Sequence, residues 1–386
     1  MTPGARVAAA IEVMDAISSG AAAEAALTRW ARASRFAGSK DRAAVRDLVF
    51  DGLRNWRSDA LRGGGTSGRL RMLGRLRAQS LDPTAFFSGI GHAPAPLTDA
   101  EAAGGQDPVE VGDRWNLPDW AVSMMIDSLG DAAERTALHL AERAPVTIRV
   151  NAARSTIDKV QAALLADDVV AEPNTTAQFA LTVTQNARRL RNTAAFADGL
   201  FEFQDAASQA FVAGLPDAAR VLDYCAGGGG KALALAARGM DVTAHDIDKK
   251  RMADLPERAA RADATIPMIA DLNAADVAKF DMIVIDAPCS GSGTWRRAPE
   301  AKWRTSETRV HDLADIQFNI LSEAAEMAGK YCVIAYATCS VFRLENEAVV
   351  ERFLQAHPEW RCGVSQRWPV SALCDGFYTA HLTRQD

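Results

Sequence analysis

No window of this sequence approaches the roughly 18 uninterrupted apolar residues that would carry a helix across a bilayer, and its apolar beginning is broken by Glu12 and Asp15. Neither a membrane span nor a signal peptide is expected. Cysteine is scarce: six in 386 residues, at Cys225, Cys289, Cys332, Cys339, Cys362 and Cys374, with no C-x-x-C pair among them. That argues against a zinc site and excludes a disulfide-stapled scaffold. Thiols scattered through a long chain point instead to a reducing compartment, the cytoplasm. Positive charge is not in excess either, since 43 Lys and Arg stand against 49 Asp and Glu. Repeats and low-complexity tracts are missing, and with 48% apolar and 24% charged residues the chain is neither disordered nor fibrous. Its length allows two or three domains, each with its own core.

The acidic total argues against a nucleic-acid partner, because neutralising phosphates needs Lys and Arg. The distribution reverses this. Residues 1–80 hold about twice as many basic as acidic side chains, with Arg29, Arg32, Arg35, Lys40, Arg42 and Arg46 followed by Arg54, Arg57, Arg62, Arg69, Arg71, Arg75 and Arg77. Such asymmetry between segments hints at nucleic acid; a solvated helical surface is the plainer explanation.

Apolar residues recur at helical spacing through 4–60, and the run Gly63–Gly68 breaks into a further helix from Leu70 to Arg77. Residues 1–80 are therefore expected to be an all-α domain. Residues 81–112, rich in Pro, Gly and Asp, read as a linker. Helices over Pro118–Leu129 and 131–143 and strand-like runs at Val146–Val150, Ala180–Val183 and Phe201–Phe203 predict a small α+β unit over 113–200. From there to 386 the pattern alternates. Ala219–Tyr224, Asp241–His245, Ile266–Ala270, Met282–Ile285 and Cys332–Ala337 fit buried parallel strands with helices between them, hence an α/β, Rossmann-like domain with ligands at the carboxyl ends of the strands.

The first of these strands runs into Cys225-Ala226-Gly227-Gly228-Gly229-Gly230-Lys231 and then a helix, where glycines let the backbone approach a ligand closely. A P-loop would need glycine at Cys225 and Ser or Thr at Ala232, so that reading fails. The next three strands end in Asp246, Asp271 and Asp286. A carboxylate at the second strand end can grip ribose hydroxyls, and Asp271 can accept from an adenine amine. Singly each is a common helix cap; together, beside a glycine loop, they favour an adenosyl group. Asp248 is the substitute for Asp246. The fourth strand continues into Pro288-Cys289 and the fifth into Thr338-Cys339-Ser340, which puts two thiols on the ligand edge. A thiolate is a nucleophile strong enough to add to an electron-poor pyrimidine carbon. For Cys332, Cys362 and Cys374 inert packing suffices.

These motifs resemble the RNA cytosine-5 methyltransferases of the Nol/Nop/Sun family. The resemblance rests on Gln204–Gln209, the loop Asp223–Lys231, Asp286-Ala-Pro-Cys289, Gly293–Arg297 with Pro299 and Lys302-Trp303, Gln317, Thr338–Ser340, Glu345–Glu347 and Asp375–Phe377, and covers about 113–386. It implies a class I fold and S-adenosylmethionine as cofactor, held by Cys225 to Lys231, Asp246, Asp271 and Asp286. It also implies Cys339 as nucleophile toward C6 of cytosine, Cys289 assisting loss of the C5 proton and enzyme release, Asp286 holding the base, and Lys231 helping to polarise it. Spacing alone leaves the two cysteines interchangeable, as DNA cytosine-5 methyltransferases use the Pro-Cys thiol. The chain departs from many relatives at Gly228, where they carry Pro, and at Ala232, where they carry Thr.

RNA contacts are expected from Arg296, Arg297, Lys302 and Arg304, with Trp295 and Trp303 interleaved, and from Arg42; Arg149 and Asn151 are weaker candidates. More faintly, the first domain resembles the antitermination-factor-like RNA-binding domain of the Sun-type branch that modifies 16S ribosomal RNA. The leading expectation is a cytoplasmic, monomeric enzyme making 5-methylcytosine in ribosomal RNA. The alternatives are a tRNA substrate, a non-catalytic RNA-binding assembly factor and a DNA methyltransferase.

Overall fold

The computed structural model describes residues 1–385, which divide into two compact units. The first is helical and comprises Met1–Ile126, Gly130–Arg143 and Trp295–Ser306. Its leading helices are α1 (Pro3–Ser18), α2 (Ala23–Ala33), α3 (Ser39–Arg54), α4 (Trp56–Gly63) and α5 (Gly68–Ala78). Pro3 opens α1 behind the Thr2 hydroxyl, which accepts from the Ala5 N–H at 3.2 Å, and Ser67 caps α5 in the same way. Val7, Ala10 and Met14 of α1 meet Val45, Val49 and Leu53 of α3 and Met72, Leu73 and Leu76 of α5 in one buried core. Between α4 and α5 the backbones touch. A Cβ on Gly74 would sit 1.9 Å from the Asp59 carbonyl oxygen, so only glycine fits there.

The expected linker is corrected here. Residues 81–112 are no free linker: Phe87 is buried in the helical core, Arg69 pairs with Glu101, and Arg77 donates to the Arg62 and Gly104 carbonyls. Most of 113–143 packs within this unit as well, Asp127–Leu129 excepted. Arg57 holds Asp113 and Asp119, and Asn55 Nδ2 donates to the Ala141 carbonyl. Sequence periodicity reports which face of a helix is apolar, not which domain that face meets.

The second unit takes Asp127–Leu129, Ala144–Thr294 and the chain from Glu307 onward. Its smaller sheet, β1 (Val146–Val150), β2 (Val170–Pro173), β3 (Ala180–Gln185) and β4 (Phe201–Phe203), is antiparallel in the order β2-β3-β1-β4; β2 had no counterpart in the sequence reading. Its larger sheet contains β5 (Arg220–Asp223), β6 (Asp241–His245), β7 (Met268–Ile269), β8 (Met282–Asp286), β9 (Val333–Thr338), β10 (Trp360–Trp368) and β11 (Phe377–Arg384), in the order β10-β11-β9-β8-β5-β6-β7. β5 to β9 run parallel where they pair, and β11 is antiparallel to both neighbours.

Both faces of this sheet are covered, which is why β8 reads Met-Ile-Val-Ile without alternation. Ile283 and Ile285 enter one core with Leu321, Tyr336 and Phe353, while Met282 and Val284 enter the other with Phe211, Leu235 and Phe377. Strand order reverses between β5 and β8, and the crevice outside their carboxyl ends is where such sheets bind ligands. No helix among the described residues is long and apolar enough to cross a membrane.

Candidate active site

Beyond β5 the chain turns through Tyr224–Gly229 into the helix Gly230–Ala236. The turn needs glycine: φ is +50° at Gly227 and +77° at Gly229, where a Cβ would also lie 2.2 Å from Leu255 Cδ1. The Gly227 N–H donates to Asp246 Oδ2 at 3.0 Å, so the carboxylate ending β6 is fastened to the loop that follows β5. Asp246 is buried, and also accepts from the Asp248 N–H and pairs with Arg251 at 3.1 Å. Asp248 is exposed and caps the next turn, so Asp246 is the acid that faces the glycine loop. Asp271 lies exposed just past β7, the strand beside β6. Burial, aided by the charges of Asp223, Asp286 and Asp246, pushes the Cys225 thiol up, so it stays protonated.

Lys231, one residue into the helix, reaches Asp286 at the end of β8, with Nζ 2.5 Å from Oδ2 and 5.1 Å from the centre of the Phe377 ring. Burial alone would lower its pKa; the charge and hydrogen bond of Asp286, with Asp223 behind, outweigh this and raise it. Asp223 was quoted in the sequence only as the start of the loop. It is buried, and burial lifts it to about 7, with Lys231 opposing and Asp286 reinforcing.

The two cysteines predicted at strand ends meet: Cys289 Sγ and Cys339 Sγ are 3.5 Å apart. Their loops are laced together, as the Gly293 N–H donates to the Cys339 carbonyl at 2.9 Å and the Gly376 N–H to the Gly293 carbonyl at 3.0 Å. A Cβ on Gly293 would strike both partners, at 2.5 Å from Gly376 O and 2.8 Å from Cys339 O. The Cys289 thiol is held well above its ordinary range, first by its hydrogen bond to Cys339 and then by burial.

The expected RNA contacts fare differently. Arg296 and Lys302 have no exposed surface, so neither is available to RNA as expected. They lie inside the helical unit, where Arg54 Nε donates to the Arg296 carbonyl and Lys302 Nζ to the Arg54 carbonyl, each at 2.8 Å. Their tryptophans explain why: Trp295 stacks edge-on against Trp120, and Trp303 Nε1 donates to the Leu53 carbonyl. Arg297, Arg304 and Arg42 are exposed. Arg149 and Asn151 are buried struts, bonded to Gln204 and to the Gly199 and Ala262 carbonyls. Of the basic residues of 1–80, Arg54, Arg57, Arg62, Arg69, Arg71, Arg75 and Arg77 are committed to internal partners. Arg29 and Arg32 on α2, Arg35 in the turn after it and Lys40 at the start of α3 stay exposed, as does Phe36, 72% exposed and stacked on His92.

Residues 212–371 match a family model described as 16S rRNA methyltransferase RsmB/F, and 117–188 match the ferredoxin-like domain of the same proteins. A ribosomal RNA small subunit methyltransferase B of Vibrio cholerae is 31% identical over 288 residues, 70% of this chain and 66% of that protein. One of Yersinia pseudotuberculosis is 31% identical over 261 residues, 63% of this chain and 61% of that protein. The chain thus matches slightly less than two thirds of the length of either relative. The crystal structure of PH0851 superimposes with a TM-score of 0.78 at 22% identity, covering 100% of this chain and 99% of that one, a likeness of fold.

Proposed function

The chain belongs to the RsmB/F family of ribosomal RNA methyltransferases, and from that premise we propose that it makes 5-methylcytosine in 16S ribosomal RNA, with Cys339 as the nucleophile. The observation that carries the reading is the pair of thiols 3.5 Å apart at the carboxyl ends of neighbouring strands, beside the Lys231–Asp286 pair.

The residues fit S-adenosylmethionine as cofactor. The glycine turn bares its backbone, Asp246 offers a carboxylate already aimed at that turn, and Ile247 beside it is 94% exposed, an apolar surface for a flat ring. When bound, the cofactor supplies an electrophilic methyl group on a sulfonium centre. This chain's own residues prepare the base. Asp286, oriented by Lys231, accepts from the N4 amine of a cytosine drawn out of its stack and, with a proton bridging it to N3, holds that edge in the form that favours addition. The Cys339 thiolate adds to C6, which makes C5 nucleophilic.

The principal cause of Cys289's high pKa is its bond to the Cys339 sulfur. Once that sulfur is bonded to carbon this cause falls away, and burial is left as the main one holding the thiol protonated. Cys289 gives its proton to solvent and, as a thiolate, takes the C5 proton, and Cys339 leaves as the C5–C6 double bond re-forms. Two reagents in contact thereby act in sequence, the second released by the first. Exposed Arg42 and Arg297 are assigned to RNA contact, and the protein is assigned to the cytoplasm as a monomer.

The test is to map bisulfite-resistant cytosines in ribosomal and transfer RNA from a deletion strain and from the strain complemented with this chain. One 16S cytosine that loses its methyl group on deletion and regains it on complementation is the expected result. Loss confined to tRNA overturns the substrate, and no loss in either RNA overturns the activity.

A further inference from the structure

Behind the two sulfurs, and outside the roles assigned above, lies a fully buried carboxylate, Glu345. Its Oε1 accepts from the Ser290 N–H at 2.7 Å and from Gln317 Nε2 at 3.1 Å; its Oε2 accepts from the Ser290 hydroxyl and the Ser340 hydroxyl, both at 2.5 Å. Ser290 follows Cys289 and Ser340 follows Cys339. One carboxylate therefore receives a donor from each cysteine loop on the same oxygen. All four donors are neutral, and they fill the acceptor sites an ionised carboxylate has.

The neighbouring side chain completes the grip. Asn346 Oδ1 accepts from Thr338 Oγ1 at 2.5 Å, and its Nδ2 donates to the Ser340 carbonyl at 3.0 Å, so the residues on both sides of Cys339 are held. Gln317, on the long helix Glu307–Met327, also donates to the Pro288 carbonyl at 2.9 Å, ahead of Cys289. A buried charge that meets only neutral donors costs more to desolvate than a serine or glutamine pair would. Packing alone does not explain it.

We infer that Glu345 is a positioning residue for the two-thiol site, a clamp that sets the separation of Cys289 and Cys339 by tying both of their loops to one carboxylate. This rests on the proposed reaction for its purpose, but the clamp itself is a property of the loops. Near contact of the sulfurs is what lets one hold the other's proton, and a displacement of about 1 Å in such a constellation costs about 10²-fold in rate.

The experiment compares wild type with Glu345→Gln, which keeps the shape but replaces two acceptor sites with donors. The first readout needs no RNA. The azo oxidant diamide takes two electrons and two protons from a thiol pair, becoming the hydrazine as the disulfide forms, and peptide mapping follows the Cys289–Cys339 bond. The second readout is methyl transfer to ribosomal RNA, with kcat and KM separated, alongside S-adenosylmethionine affinity. The expected result is that Glu345→Gln forms this disulfide at least fivefold more slowly and loses at least tenfold in kcat, with KM and cofactor affinity within twofold of wild type. Ser340→Ala, which removes one strut and keeps the carboxylate, should slow the disulfide about threefold and covers the case in which Glu345→Gln fails to fold. Unchanged disulfide rates in the folded variants overturn the clamp, as does a kcat loss matched by equal loss of cofactor binding. If wild type methylates no RNA while Glu345→Gln still slows the disulfide, the clamp stands and the proposed reaction falls.

Discussion

The two units treat charge in opposite ways. In the α/β unit a handful of ionisable groups gather where strands end: Lys231 on Asp286, Asp246 on the glycine loop, Asp223 buried behind them, and two thiols in contact. In the helical unit charge is plentiful, and most of it is mortar. Arg57, Arg69, Arg71 and Arg77 are spent on carboxylates and carbonyls of their own unit, and even Lys302 is sealed inside. A parallel sheet delivers its strand ends to one crevice whatever the rest of the chain does, so a reactive residue at a strand end is already located by topology. A helix offers no such guarantee. Whether its arginine faces solvent depends on what packs against it.

The sharpest way to break this comparison is to remove the thiols in turn. Cys339→Ala should lose turnover by at least about 10³-fold and form no covalent protein–RNA band, since the nucleophile itself is gone. Cys289→Ala should accumulate that band, because release is blocked after attack. Incubation with labelled cofactor and ribosomal RNA, followed by denaturing gels, reads both. A band that appears with Cys339→Ala instead exchanges the two roles. If neither thiol matters, strand-end position is no guide to chemistry in this chain.

How much was legible follows from the same contrast. All five parallel strands were anticipated within a few residues, because each is a short apolar run between turns, and the loop, the acids and the two cysteines fell where their strands end. β10 was missed because it lies at the sheet edge and runs through four successive exposed residues, Gly363 to Gln366, that carry no apolar alternation, and β2 because it is four residues long and ends in proline. Arg296 and Lys302 were misjudged because their pattern, cations interleaved with tryptophans, is shared by a nucleic-acid surface and by a segment whose aromatics drag their neighbours inward. Glu345 was visible as part of a motif. Its role was not, as the loops it joins lie 55 and five residues away along the chain.

Lys302 sharpens the comparison from the helical side. Burial, with the like charge of Arg54 nearby, pushes its pKa down to about 7, against about 10.4 for a free lysine. Between those values the unfolded chain binds a proton that the folded chain does not, so this group makes stability rise with pH from about 7 to about 10. The slope is at most about 1.4 kcal/mol per pH unit. Lys302→Met should remove that contribution. Urea denaturation of both proteins at several pH values isolates it by difference, since the buried thiols, whose raised pKa values act in the opposite direction, are common to the two. Equal slopes would mean that Lys302 reaches water and that its burial in this unit is not persistent.

The smallest effect tests the remaining charge of the helical unit. Arg29, Arg32, Arg35 and Lys40 are exposed cations of that unit, and the Phe36–His92 stack offers a face for an unpaired base. Cations that meet phosphates release counterions, so reversing these four to Glu should weaken binding to single-stranded RNA about tenfold and flatten its salt dependence by two to three logarithmic units per decade. Phe36→Ala should lose severalfold in affinity with the salt slope unchanged, since stacking releases no ions. Arg69→Ala is the control from the committed set: it should lower stability and leave both the affinity and the slope alone. If Arg69→Ala moves the salt slope as much as the four reversals do, committed and free cations cannot be told apart by their partners, and the contrast between the two units loses its ground. If no variant moves it, the helical unit contributes no phosphate contact, and its exposed arginines serve a partner other than RNA.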